Sequence, residues 1–237
     1  MSSSQPEAGS STIALQLESV YRFYTGLALF MNPEAALGGK LLYAGEPGEP
    51  LLRAANIAGA ASLAASADPA LLRRAMHEGA VDFVVSSLDE ALRILKNEIR
   101  KRQPVAVGVA VAPAAAVGDM AERGVQPDLL APGLAAHRAI AEFIARGARV
   151  VQPQPLSPGC RFNLLAIPGE WQQPAAAFDA LLLDLLAPAD HANRRWVRLA
   201  PRYLSSSARR LRSIACDAAT VLELSRRVAS TAQPAKS

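Results

Sequence analysis

The sequence predicts an α/β fold: a parallel sheet flanked by helices, followed by a helical C-terminal extension. Three observations carry this expectation. Short apolar runs alternate with helix-spaced segments between residues 40 and 151, the order produced by repeated right-handed crossovers. Residues 105–111 alternate valine with alanine or glycine and have no polar side chain, as expected of a parallel strand covered on both faces. Residues 38–69 run through a strand, a glycine turn, a helix, a second strand and a polar residue, the order of a dinucleotide-binding βαβ unit.

The elements follow from local chemistry. Residues 1–11 are Ser-rich and polar and are expected to be disordered. From residue 13 to 30, Leu17, Val20, Tyr21, Tyr24 and Leu27 recur at helical spacing, and Asn32-Pro33 ends the helix, because a residue before proline avoids the α region. The apolar run at 40–44 leads through Gly45 and Gly48 into an alanine-rich helix at 49–58. A second apolar run ends at Ser66. Asp68 and Pro69 suit the N-cap and first turn of a helix that ends before Gly79. A strand at 81–85 precedes Ser87 and Glu90, a capping box opening a helix at 88–101. A helix at 114–123, a short strand near Leu129, a helix at 134–146 and a strand at 148–151 complete the core. Beyond the proline-rich residues 152–159, a strand at 161–167 and a strongly apolar helix at 175–186 are expected. Asp190 caps a helix carrying Trp196, residues 205–212 continue helically, and Asp217 caps a last helix. The expected organisation is a disordered 1–11, a core at 12–152, an α/β-to-helical extension at 153–228 packing on that core, and a flexible tail at 229–237.

Composition narrows the function. The chain has 237 residues, 51% of them hydrophobic, and two cysteines, Cys160 and Cys216. Without CxxC spacing, these thiols argue against a zinc site or a disulfide framework. No apolar stretch reaches the about 20 residues that a membrane span needs, and residues 1–11 lack a signal peptide's apolar segment. A soluble cytoplasmic protein is expected, with no membrane partner. The net charge is +4, with arginines dense from Arg194 to Arg227. A solvated helical face accounts for them better than a nucleic-acid surface, because only Trp196 and Tyr203 interleave as stacking aromatics.

The candidate cofactor-binding residues are Gly45, Gly48 and Ser66. Yet the turn is poor phosphate chemistry. Pro47 and Pro50 each remove a backbone N–H, and Glu46 and Glu49 place negative charge where a pyrophosphate would sit. Ser66 can hydrogen-bond a ribose but cannot accept from two hydroxyls as a carboxylate does. Cys160, beside Arg161, is the one residue to test as a nucleophile. An ordinary half-buried cysteine is the simpler account, since no base is placed beside it. His77, His137 and His191 lack metal-ligand spacing, so no metal is expected.

Several segments resemble urocanase (urocanate hydratase). The strongest are Leu-Asp-Glu-Ala-Leu at 88–92, Arg123-Gly-Val-Gln-Pro-Asp128, and Ala58-Gly59 before the second strand. The resemblance extends discontinuously over about residues 13–222. It implies a Rossmann-like domain. It further implies a homodimeric lyase of histidine breakdown, whose bound NAD acts as an electrophile toward the urocanate imidazole before water adds. Departures are many. The family's glycine run is reduced to Gly45 and Gly48, its acidic ribose ligand falls at Ser66, and the motif expected after Asp128 reads Leu-Leu-Ala-Pro-Gly. Cys160 lies near the family cysteine's place without the segment that follows it. The expectation is a shortened relative that has lost hydratase activity and tight NAD binding, with no cofactor. It would serve as a small-molecule-binding or interaction homologue, as a homodimer or with a full-length urocanase-type enzyme. The alternative is an NAD-using hydratase completed by another chain.

Overall fold

A computed structural model describes residues 6–134, 137–169, 171, 173–203 and 210–232, with the side chains of residues 6–11, 49 and 232 left aside. The chain divides into two compact units, Ser19–Gln154 and Met1–Glu18 with Pro155–Ser237.

In the first unit, strands β1 (Leu41–Gly45), β2 (Ala61–Ala65), β3 (Phe83–Val85), β4 (Val105–Val109), β5 (Leu129–Leu130) and β6 (Arg149–Val150) form one sheet in the order β3-β4-β2-β1-β5-β6. Every pairing in it is parallel. β1, β2 and β4 are buried along their whole length, which explains why they read as unbroken apolar runs. Alternation then sorts the faces. Leu41, Tyr43, Leu63, Val105 and Val107 share a core with Leu88, Leu92 and Leu95 of helix α4 (Leu88–Lys101), Val117 and Met120 of α5 (Pro113–Glu122), and Phe143 of α6 (Arg138–Ala145). Helices α2 (Glu49–Ala58) and α3 (Pro69–His77) also pack on the sheet, α2 against β1 and β2, and α3 against β3.

Local signals place several boundaries where the sequence puts them. Ser87 Oγ accepts the Glu90 N–H at 3.3 Å, and α4 spans Leu88–Lys101 as expected. Asp68 Oδ1 accepts the Ala70 N–H at 2.8 Å at the head of α3. The motif segments 88–92 and 123–128 meet through an Asp89–Arg123 ion pair. Asp128 Oδ2 accepts the Leu41 N–H at 2.9 Å, and Asp82 Oδ2 the Ala106 N–H at 2.7 Å. Each aspartate thus ties the start of a neighbouring strand.

Some boundaries differ. Helix α1 (Pro6–Ala28) begins before residue 13, so residues 6–11, expected to be disordered, are helical. Pro6 is tolerated there because the first turn needs no N–H from it. Helix α6 starts at Arg138 rather than 134, because His137 turns its Nδ1 to accept the Ala139 N–H at 3.2 Å and acts as the N-cap. Residues 135–136 lie outside the described residues.

In the second unit, β7 (Arg161–Ala166) pairs antiparallel with β8 (Leu211–Cys216). Helices α7 (Ala175–Leu185), α8 (His191–Tyr203) and α9 (Ala218–Ala232) accompany them. Residues 211 and 212, expected to be helical, therefore form a strand, and residues 204–209 lie outside the described residues. Pairing with β7 satisfies the backbone of this segment and overrides the helix propensity of its Leu, Arg and Ala. The core here holds Trp171, Phe178, Leu182, Val197 and Ile214. Trp196, fully buried, donates from Nε1 to Ser213 O at 2.8 Å. The arginines do not form one solvated face. Arg194 donates to Leu183 O and Leu186 O at the end of α7, and Arg212 is buried against Asp179. Arg226 and Arg227 pair with Glu223 along α9.

Two carboxylates give the protein opposite pH responses. Asp217, the cap of α9, accepts the Thr220 N–H and hydroxyl, and these bonds hold its pKa below the ordinary 3.8. Its contribution is present above 3.8 and is lost as pH falls further, because the unfolded chain then binds the proton first. Asp82 is raised above 3.8 by burial of its carboxyl, against the pull of the Ala106 N–H and, more weakly, Asn56. Its contribution is present below 3.8 and is lost as pH rises through its folded value, because the folded state holds the proton longer. Urea unfolding across an acidic pH series checks both. Asp217→Asn should flatten the loss of stability on the acid side. Asp82→Asn should instead remove a decline with rising pH, so that the two variants tilt the stability curve in opposite senses.

Candidate functional site

The strand order places a topological switch between β1 and β5. The chain leaves β1 toward β2 on one side and leaves β5 toward β6 on the other. In open α/β sheets, ligands bind in the crevice outside the carboxyl ends at such a point. Gly45, Gly48 and Ser66 all lie at this end, on the β1–α2 turn and just past β2.

Gly45 sits in the left-handed region at φ 69°, where the β1–β2 register slips between Tyr43 and Gly45. A side chain there is strained, and it would also crowd a neighbouring leucine. A Cβ on Gly45 would lie 2.5 Å from Leu134 Cδ2. The contact is with the tip of a leucine, which can turn aside where backbone cannot. Gly48 is the N-cap of α2, with extended φ and ψ and no side-chain cap bond. Its N–H is turned back to Glu46 O at 2.7 Å. Pro50 follows within the first helical turn and brings no donor. Glu46 is exposed at the same turn, and the side chain of Glu49 lies outside the described ones.

Ser66 is 2% exposed, and its Oγ accepts the Asp68 N–H at 3.1 Å. Its own N–H donates to Val109 O. The hydroxyl therefore serves the turn into α3. Asp68 is engaged as that helix's cap.

Tyr43 was not legible as a site residue. It lies fully buried at the middle of β1, and its hydroxyl donates to Pro113 O at 2.8 Å, in the first turn of α5. Burial lifts the phenol above its ordinary pKa. It stays neutral at physiological pH and works as a packed, tied ring rather than as an acid or base. Leu134 was missed as well. Nothing in the chain's local pattern marks it, since its contact with Gly45 spans most of the domain.

Cys160 belongs to the other unit, half-buried in the turn before β7, with its N–H on Ser157 O. Cys216 on β8 is buried, and its Sγ lies 3.4 Å from Asn163 Nδ2. Burial first, then the nearby charges of Asp217 and Cys160, push the Cys216 thiol up, so it is no activated thiolate. His77 ends α3, His137 caps α6, and His191 begins α8. Among the described residues, no group of three or more His, Cys, Asp or Glu is arranged to hold a metal. Nor is any described helix long and apolar enough to cross a membrane.

A six-stranded parallel sheet with helices packed on it, and a switch point beside the first strand, define a Rossmann-like α/β domain. The model of the urocanase Rossmann-like domain matches residues 44–157, from the end of β1 to just past the boundary of the first unit. Over residues 44–157 the chain is thus similar to the Rossmann-like domain of the urocanase family.

Proposed function

We propose that this urocanase relative uses the Rossmann-like frame to bind a small molecule or a protein partner, not to hydrate urocanate, and that it holds no tightly bound NAD. The family implies NAD, and the residues present do not fit its pyrophosphate. The observation that carries this reading is the β1–α2 turn, where the Gly48 N–H is turned back to Glu46 O at 2.7 Å, Pro50 brings no donor and Glu46 stands exposed. The burial of Ser66, 2% exposed, and the tip of Leu134, 2.5 Å from where a Cβ on Gly45 would lie, support it further. The inward commitments of Arg194 and Arg212 favour a partner other than nucleic acid.

The test is what copurifies. Heat-denatured protein should release no stoichiometric nucleotide, read by ultraviolet absorbance and an enzymatic NAD assay of the supernatant. Stoichiometric NAD⁺ overturns the reading. Urocanate loss, followed by ultraviolet absorbance, should be absent for the protein alone and unchanged when it is mixed with a full-length urocanase. Turnover that rises above that of the full-length enzyme on mixing would instead support a hydratase completed by another chain. Sedimentation of the protein alone and of the mixture separates a homodimer from a mixed assembly.

A further inference from the structure

The opposite pole of the sheet holds a cavity that the crevice chemistry does not use. It has a volume of about 280 Å³ and lies where β1, β5 and β6 begin. Its charged lining is Lys40, Asp128, Arg146 and Arg149. Asp128 is already committed on both oxygens, Oδ1 to Lys40 Nζ at 2.9 Å and Oδ2 to the Leu41 N–H at 2.9 Å. The two guanidiniums are not matched in this way. Glu142 gives its Oε1 to Arg138 at 2.7 Å, and its other oxygen is 3.9 Å from Arg146, beyond hydrogen-bond reach. Among the described residues, no carboxylate forms an ion pair with Arg149. Phe30 and Leu129 supply apolar wall beside these cations.

From this juxtaposition of two exposed arginines, Arg146 only loosely paired with Glu142, with an apolar wall, we propose that the amino pole binds a small organic anion: a carboxylate carried on a compact apolar body. Guanidinium forks match carboxylate geometry with two parallel N–H donors, and the apolar wall beside them takes up the body of the ligand. A cavity of about 280 Å³ is at the small end for ligand sites, so the body is of single-ring size. Lys40, held by Asp128, supplies long-range attraction more than a direct contact. The site is separate from the β1–β5 crevice, and it stands whether or not NAD binds there.

Benzoate is the probe, with benzamide as its uncharged match and inorganic phosphate as an anion without the apolar body. Binding to the full chain is followed by calorimetry and by amide chemical shifts. Benzoate should bind saturably and shift the amides of Leu129 and Ala148. Benzamide, phosphate, and benzoate with the Arg146→Ala/Arg149→Ala double variant should each bind about tenfold weaker or less. Both arginines are exposed, so the variant should unfold at the wild-type temperature, and its loss of binding reports on the site. Absence of saturable benzoate binding, binding unchanged in the double variant, or benzamide or phosphate binding as well as benzoate would each overturn the proposal.

Discussion

Replacing Asp179 by alanine should destabilise the second unit by about 3–5 kcal/mol, the cost of leaving a buried charge without its partner. The Arg212 side chain is 6% exposed and that of Asp179 21%. The guanidinium meets the carboxylate through both Nε and Nη2, a fork-on-fork pair that ties β8 to α7. Removing the carboxylate leaves a buried guanidinium that still donates to Leu211 O at 2.9 Å but has lost the charge opposite it. The pair itself contributes less than its rupture costs, because both ions were desolvated to form it. Asp179→Leu/Arg212→Met should therefore recover most of the loss. Denaturant unfolding followed by tryptophan fluorescence reads this unit selectively, since both tryptophans, Trp171 and Trp196, lie in it. A small effect of Asp179→Ala, or a double variant as unstable as the single, would show that the pair is not what holds β8 against α7.

Gly26→Ala should destabilise the first unit by about 2 kcal/mol or more, although alanine is the better helix former by about 1 kcal/mol. The reason is the approach of the chain after β6. A Cβ on Gly26 would lie 2.0 Å from Gln152 O and 3.1 Å from its carbonyl carbon. These are backbone atoms, fixed nearby by Gln154 N–H to Arg22 O at 2.9 Å and Arg22 Nε to Gln154 O at 3.1 Å. They cannot swing aside as a side-chain tip does. Gly118, inside α5, provides the contrast, because a Cβ there meets nothing within 4 Å. Gly118→Ala should therefore stabilise by roughly 0.5–1 kcal/mol. Thermal unfolding by circular dichroism distinguishes the two, and equal shifts in the same direction would refute the steric account.

The two glycines show where legibility stops. Both stand in helices, and nothing within a few residues of either says which one touches the backbone of a distant loop. The elements that could be read were those with local causes. The ends of α2 and α4 follow from Gly48, Pro50, Gly59 and Ser87 acting within a turn or two of themselves. The first two residues of β8 carry helical signal in the sequence, but the strand's identity comes from β7, and Asn163 reaches Ile214 across 51 residues.

At the candidate site, the sequence alone showed the turn glycines, the prolines that remove donors and the serine at the end of the second strand. These are properties of single residues and their immediate neighbours. It could not show that Leu134 lies over Gly45, that the Ser66 hydroxyl accepts from Asp68, or that Arg146 and Arg149 line one cavity. Helix propensity, capping and hydrophobic period act over a few residues and are written along the chain. Which side chain fills which crevice depends on strand order, β3-β4-β2-β1-β5-β6. Only the folded chain brings residues that far apart to within a few ångströms, so the frame was legible beforehand and the occupancy of its two poles was not.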